Sequence, residues 1–526
     1  MSNSRVIYEP WVDKLKAHWL VTLGTLYLSY QIGLIIYNLF FHPLAKVPGP
    51  LLGRSTLLWR FWDTTSGKHH KHMLDMHAKY GTSPIYFLAF HRSSRRHVVR
   101  VSPNELSFST VQSYRDIYGV PPPGGQHCIK TEMYDIIGSG FKTADIASER
   151  DPQVHAQKKK HLTPAFSARA LVAQEAIIHR CLDAFVAKIG PVSQRSPELG
   201  INMVSWFEMS AFDLFGEMSF GESFDCIAEE KHHFWIDMVL HHVREIVIMD
   251  NVRRFGILKL FSQKLLPKLA MSVLAKHTQY TRDKMQRRLN RESPRQDFFT
   301  NLVAKVKAGE VDLEEMTANA STLIIAGGET TATTSAATLY FLLKNPKALA
   351  KVTTEVRGRW ASYTDIDSNS AQQLPYLQAC INEALRLYPS GAQGFPRLSP
   401  GRVIDGLWVP RGTEVYTCTW VASRNPDYWN RPDDFIPERW TDPTSTDVKA
   451  ASQPFSLGYR ACPGQSFAML QLSLVFAKIL YTYDLEMLDP IMDWEARSRH
   501  WIMWWKPPIR VLAHNRPGGD LPVKSE

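Results

Sequence analysis

The sequence predicts a mainly α domain with small β-sheets, preceded by one N-terminal transmembrane helix. Three observations predict it. Residues 19–41 carry no charged side chain, and about 20 such residues are enough to cross a bilayer as a helix. Residues 171–285 place apolar side chains at three- and four-residue steps, and a second helical run begins after Glu310 and ends before Asn345-Pro346. Alternating, strand-like segments are few and short, at residues 97–101, 407–410 and 413–421. With 526 residues, 44% of them hydrophobic and 11% aromatic, the chain can build a large core. The expected division is an anchor with the start of a hinge at 1–46 and a single folded domain at 47–526.

In order along the chain, Trp19, Tyr37, Phe40 and Phe41 suit the two bilayer interfaces. A cleaved signal is the competing reading. The stretch is long for that, lacks a small-residue cleavage site and runs into a proline-rich stop. Lys46, Arg54 and Arg60 follow it, while Arg5, Lys14 and Lys16 before it are offset by Glu9 and Asp13, so charge alone orients it weakly. Pro43, Pro48 and Pro50 then make a stiff linker. Residues 70–80 read as a helix ending at Gly81, and the strand at 97–101 stops at Pro103. Residues 104–133 form a turn-rich loop around Pro121-Pro122-Pro123-Gly124-Gly125, and loops this long are usually functional. The helix after Asp151 puts His155 and Lys159 on one face, with Lys158 and Lys160 read as a solvated basic face. Residues 286–295 are polar and basic, as in a linker.

The later helix is unusual at Ala326-Gly327-Gly328-Glu329-Thr330-Thr331. Each mid-helix glycine costs about 1 kcal/mol relative to alanine. The expected compensation is a locally widened turn, where a hydroxyl replaces a backbone donor and a ligand comes close; a helix-packing face is the alternative. In residues 374–388, Glu383 and Arg386 are three apart and face each other. The tail, residues 499–508, is dense in tryptophan and suits a pocket wall or plain core packing.

Composition excludes several classes. The six cysteines, Cys128, Cys181, Cys226, Cys380, Cys418 and Cys462, show no paired spacing, which argues against a disulfide framework or zinc site and for a reducing compartment. The formal charge of +10 is dispersed, so no nucleic-acid binding is expected; a membrane surface or acidic protein partner fits better. The pairs His232-His233 and His241-His242 lack a second ligand cluster and do not read as a metal site. Asn319-Ala320-Ser321 matches a glycosylation signal but falls inside a helix.

The chemistry converges on Cys462, in Phe455-Ser456-Leu457-Gly458-Tyr459-Arg460-Ala461-Cys462-Pro463-Gly464. Gly458 and Gly464 let the backbone approach a large flat partner. Arg460 is placed to meet an anion, and the helix after Gly464 turns its positive end toward the sulfur. A haem iron held by one cysteine needs this environment. The pattern F-x-x-G-x-R-x-C-x-G resembles the haem-binding loop of the cytochrome P-450 family of haem-thiolate monooxygenases. The A-G-x-[DE]-T-T run resembles that family's oxygen-activating helix, and Glu383-x-x-Arg386 with Pro437-Glu438-Arg439-Trp440 resembles its buried ion network. The resemblance covers residues 48 to about 512, and the hinge is similar to that of filamentous-fungal members.

The resemblance implies the P-450 fold and insertion of one oxygen atom from O2 into a hydrophobic small molecule. Cys462 is the implied iron ligand, with Phe455, Gly458, Arg460 and Gly464 around it and His155, Lys159 and Arg397 at the propionates. Thr330 is implied to hold dioxygen by a hydrogen bond and Glu329, with water, to relay protons. Residues 104–133 are implied to cover the substrate, and Glu383, Arg386 and Arg439 to be structural. No flavin domain or G-x-G-x-x-G unit is found, so electrons are expected from NADPH through a separate flavoprotein reductase. Membrane lipid is the other expected partner, in a single-pass endoplasmic reticulum topology with a cytosolic catalytic domain. Against the family, residues 82–96 are an insertion, read equally as a surface hairpin or a retained intron. The expected role is tailoring in fungal secondary metabolism. Fatty-acid or sterol hydroxylation, a reductase-independent isomerase or dehydratase, and a non-enzymatic haem sensor are the alternatives.

Overall fold

A computed structural model describes residues 10–81, 97–256, 266–291 and 295–517, with the side chains of 10–17, 20, 239–241 and 266–275 left out. The possible insertion at 82–96 lies outside the described residues. The expected anchor falls on helix α1, Pro10–Ile36, continuing through a wider turn at Tyr37–Phe41. Its stretch Val21–Phe41 is long and apolar enough to cross a membrane, and none of it is buried against the rest of the chain. The hinge is not a loose linker. Leu44 and Val47 sit in the apolar core beneath the main sheet, and Pro48 O accepts from Arg100 N–H at 2.7 Å.

The body follows as α2 (Leu57–Thr65), α3 (His69–Tyr80), β1 (Val98–Ser102), β2 (Glu105–Phe108) and β3 (Ile129–Lys130). Next come α4 (Pro152–Leu162), α5 (Ala168–Ser193), β4 (Ile201–Asn202), α6 (Met203–Phe220), α7 (Phe234–Val252), α8 (Leu266–Asn290) and α9 (Leu313–Lys344). The rest is α10 (Pro375–Leu387), β5 (Arg397–Leu398), the hairpin β6 (Arg402–Ile404)–β7 (Leu407–Val409), β8 (Glu414–Thr417), α11 (Gln465–Thr482), β9 (Tyr483–Met487), the hairpin β10 (Arg499–Trp501)–β11 (Met503–Trp505) and β12 (Arg510–Asn515). The main sheet runs β1-β2-β8-β5-β3, and β4-β12-β9 forms a smaller one. This mainly helical body with small sheets is the predicted class.

Helix α9 is the axis of the body. Asp312 caps it by accepting from Glu314 N–H, which satisfies an otherwise orphaned first-turn donor. The helix is regular α throughout its length, so the widened turn expected at the glycine pair is not formed. Packing explains Gly327 instead: a Cβ there would fall inside the Phe215 ring of α6, so glycine permits the close crossing of α6 and α9. Thr330 and Thr331 hydroxyls donate within the helix, to Ala326 O at 2.6 Å and Gly327 O at 2.7 Å.

Three other expectations change. The chain at 413–421 is strand only over Glu414–Thr417 and then turns helical at Thr419–Ala422, every residue of both pieces being buried. The linker at 286–295 begins late, since α8 continues to Asn290. Lys158 is not on a solvated face: its side chain is buried and pairs with Glu315 at 3.1 Å.

Beneath α10, Glu383 accepts from Arg386 at 2.8 and 2.9 Å, Arg439 at 3.0 Å, Trp440 Nε1 at 2.8 Å and Ile436 N–H at 3.0 Å. The remaining Arg386 donors reach the carbonyls of Ser423, Pro432 and Asp434. Every charge here is paired, which is the condition under which ions tolerate burial.

Candidate functional site

The loop carrying Cys462 is shaped by its own backbone. Cys462 N–H donates to Phe455 O at 2.8 Å and Ala461 N–H to Gly458 O at 3.0 Å, closing the turn. Gly458 has φ +70°, and a Cβ there would strike the Tyr118 carbonyl, so the turn requires glycine. Helix α11 starts directly after Gly464, and its first N–H groups, at Gly464 and Gln465, lie against the sulfur. Burial pushes the Cys462 thiol up, opposed by those N–H groups and by the Lys159 ammonium. A sulfur so placed becomes a thiolate when a metal cation faces it.

Cys462 opens onto a cavity of about 360 Å³ lined also by Phe455, Arg460, Gly464, His155, Lys159, Arg397 and Thr330. Of the sequence-predicted site residues, Gly458 and Glu329 do not line it. A larger hollow of about 1330 Å³ lies between α1, α2 and α7; it contains no cysteine and none of the motif residues, so size does not identify the site.

The cavity wall is strongly cationic. Arg397 is 4% exposed, and its Nε and Nη1 have no protein partner. Arg460 spends both Nη atoms on the carbonyls of Glu149 and Arg150, at 2.6 and 3.0 Å, leaving Nε unpaired. His155 Nδ1 and the Tyr134 hydroxyl are likewise buried without partners. Lys159 donates to Tyr459 O at 2.9 Å and Lys130 to Ala147 O. Burial and the nearby Arg460 push His155 down to about 3, so its ring is neutral. Burial, Arg397 and Arg460 push Lys130 well down, and burial lifts Tyr134 to about 12. Buried donors without partners are costly, and those of the cations Arg397 and Arg460, beside the neutral His155 and Tyr134, favour an anion at this wall. A haem would fit both features of this cavity, its two carboxylates at the unpaired donors and its iron held by Cys462.

Lys130 and Tyr134 were not predicted. The only signal is structural: β3 pairs with β5 so that Lys130 stands opposite Arg397. The apolar wall comes from Ile146, Phe215, Leu323, Ala326, Phe395, Ile502 and Met503. The tail therefore serves both of its readings. Ile502 and Met503 face the cavity, while Trp504 is core, stacked on Tyr388 at 4.1 Å. The loop before α4 contributes Lys130, Tyr134, Ile146 and Ala147 to the wall. Among the described residues no group of His, Cys, Asp and Glu is arranged to hold a metal ion, and His233 instead caps α7.

Glu329 lies on another face of α9 from Thr330. It is buried, binds Lys506 directly and accepts from Thr333 Oγ1 at 3.1 Å.

A family model, Cytochrome P450, matches residues 51–512. The chain is 49% identical to cytochrome P450 monooxygenase ORF9 of Penicillium roqueforti (strain FM164), over 94% of each chain. It is 43% identical to cytochrome P450 monooxygenase BOT4 of Botryotinia fuckeliana, over 91% of this chain and 88% of that one. The solved cytochrome P450DA heme domain superposes with a TM-score of 0.65 at 20% identity, covering 78% of this chain and 88% of that one, a likeness of fold.

Proposed function

The chain belongs to the cytochrome P450 family, and on that premise we propose that Cys462 would supply the thiolate that holds its haem iron and that Arg397, Arg460, His155 and Lys159, with Lys130 and Tyr134, would hold the propionates. As a member of that family it is an oxidoreductase of the monooxygenase type. The observation that supports the site is the coincidence of one cysteine and a set of unpaired buried donors on the walls of one cavity. When bound, the haem supplies the activation of O2, so that one oxygen atom enters the substrate and the other leaves as water.

The chain's own residues control binding and protons. The apolar wall holds a hydrophobic small molecule by excluding water. Phe455 and Gly464 wall the sulfur side, and Gly458 keeps the turn. Thr330 gives its only hydroxyl proton to Ala326 O, so it presents lone pairs to the cavity. It accepts from a donor there, and it donates to dioxygen only after its side chain turns away from Ala326. Glu329 is the acid that replaces the proton Thr330 passes on.

The family implies a redox partner and a small-molecule substrate. The partner is an NADPH-dependent flavoprotein reductase, and the substrate belongs to fungal secondary metabolism, in line with the fungal relatives. The location is the endoplasmic reticulum membrane with the catalytic domain cytosolic, supported by the apolar α1 and by six unpaired cysteines. The division between anchor and domain falls at 46/47, next to the Pro48–Arg100 contact.

Two measurements test this. Reduced protein with carbon monoxide should show the red-shifted Soret band of a cysteinate-ligated haem, and Cys462→Ser should abolish it; a retained band would assign another cysteine. Thr330→Ala should leave folding and haem content unchanged while product per NADPH falls and peroxide rises, with proton delivery slowed about 100- to 10,000-fold. Conversion that needs neither NADPH nor O2 would overturn the reading.

A further inference from the structure

Glu329 is the inner end of a file of titratable groups that reaches the surface. Lys506, just beyond β11, has a side chain only 1% exposed, and it binds Glu329 on one side and Glu208 Oε1 of α6 at 3.0 Å on the other. Thr333 Oγ1 at 3.1 Å and Trp504 O at 3.4 Å complete its surroundings. Glu208 Oε2 lies 3.8 Å from His232 Nε2, which is buried without a hydrogen-bond partner. His232 Nδ1 lies 3.4 Å from the Asp237 carboxylate, whose side chain is 63% exposed. A hollow of about 20 Å³ adjoins both Glu208 and Glu329, and a single water needs about 10–15 Å³.

Charge counting gives this cluster a proton to spare. Two carboxylates share one ammonium, so with all three ionised a buried site carries one uncompensated negative charge. Taking up a proton relieves it. Burial lifts the Glu329 carboxyl to about 7, against the pull of Lys506, and Lys506 is held as the ammonium by its two carboxylates. Tyr388, from the end of α10, is the further titratable group that senses Glu329.

We propose that His232, Glu208 and Lys506 form the route by which protons from solvent reach Glu329, and that the Glu208–Lys506–Glu329 cluster stores one proton between turnovers. This rests on the reading of Glu329 as the acid behind Thr330. Each turnover consumes two protons and two electrons with one O2. The electrons come from the reductase and the protons from this file. Lys506 passes a proton to Glu329 and regains one from Glu208, Glu208 is recharged by His232, and His232 by solvent, so no group is used up. The last hop requires the Glu329 side chain to swing around α9 toward Thr330. His232, Glu208 and Lys506 are positioning residues, since none lines the cavity.

The experiment uses full-length holoenzyme reconstituted with reductase. Lys506→Met leaves two carboxylates without a counter-charge and is expected to fold poorly, so the isosteric Glu208→Gln carries the test, with His232→Gln at the outer end. Two readouts are taken: product and peroxide per NADPH across pH, and the infrared C=O stretch of a protonated carboxyl in the resting protein. The wild type should show that band titrating near neutral pH, and Glu329→Gln should remove it. Glu208→Gln should shift its midpoint and lower product per NADPH roughly tenfold or more, with a smaller loss in His232→Gln. If Glu208→Gln only lowers the melting temperature, with coupling and infrared titration unchanged, the cluster is a structural tie and the route is overturned. If Glu329→Gln uncouples while Glu208→Gln and His232→Gln do not, the route falls and the acid reading stands. Normal coupling in Glu329→Gln overturns the acid reading itself.

Discussion

Two pairs of arginines, Arg386 with Arg439 and Arg397 with Arg460, differ in one respect. Arg386 and Arg439 have every donor facing them answered by Glu383, Asp447 or a carbonyl. Arg397 is as deeply enclosed and Arg460 half-buried, but both keep buried donors that nothing in the protein meets. Both sets cost desolvation. In the first the protein recovers it alone, so the network belongs to the fold. In the second recovery waits for an anionic ligand, so the cluster belongs to function. Between these two pairs, completeness of pairing and not charge separates the structural ions from the functional ones.

The sharpest way to break this contrast is at Glu383. Glu383→Ala strands Arg386 and Arg439 in the core and should cost about 3–5 kcal/mol, read as a fall in the denaturant midpoint and loss of folded, haem-loaded protein. Arg397→Ala should do the opposite to the haem-free chain, whose stability should hold or rise because an unpaired buried cation is gone. The loaded protein should lose about 1.5–3 kcal/mol of haem binding, the worth of a charge-assisted hydrogen bond, measured as roughly 10- to 100-fold faster haem transfer to a scavenger. A destabilised haem-free Arg397→Ala would erase the distinction.

A smaller effect concerns a buried base that stays neutral. Burial pushes His77 down to about 3, and its Nε2 meets Ser107 Oγ at 2.9 Å. The unfolded chain takes up a proton near pH 6.5 while the folded one does not. Its contribution is therefore complete above about pH 6.5 and is lost as pH falls toward 3. Replacing His77 with Gln should flatten the acid limb of the stability–pH curve, and an unchanged limb would show that other groups govern it.

What was legible in the sequence is what lies close together in it. The turn at Cys462, the start of the helix after Glu310 and the Glu383/Arg386 pair each declare themselves within about ten residues. What was hidden depends on partners far apart. Lys130 becomes a cavity residue only because its strand pairs with Arg397. Lys506, read as part of a tryptophan-rich tail, becomes the counter-ion of Glu329 from 177 positions away. Lys158 looked solvated until α9 brought Glu315 to it. The glycine pair misled for the same reason: its helix is unbroken, and the explanation for Gly327 is Phe215 on another helix.

The hinge has a mechanical consequence. Arg100 holds it at both ends, with Nη1 donating to Asn38 O at 2.8 Å and N–H to Pro48 O at 2.7 Å. Only the six residues 42–47 separate the end of the apolar span from the pinned Pro48, a tether of at most about 20 Å. Once α1 is in a bilayer, the globule cannot roll or drift far from the lipid surface. It would then present nearly the same side to the lipid at all times, and a redox partner anchored in the same membrane would find it by sliding in two dimensions. Lengthening residues 42–47 with glycine and serine should therefore slow electron delivery by a membrane-bound donor more than by a soluble one.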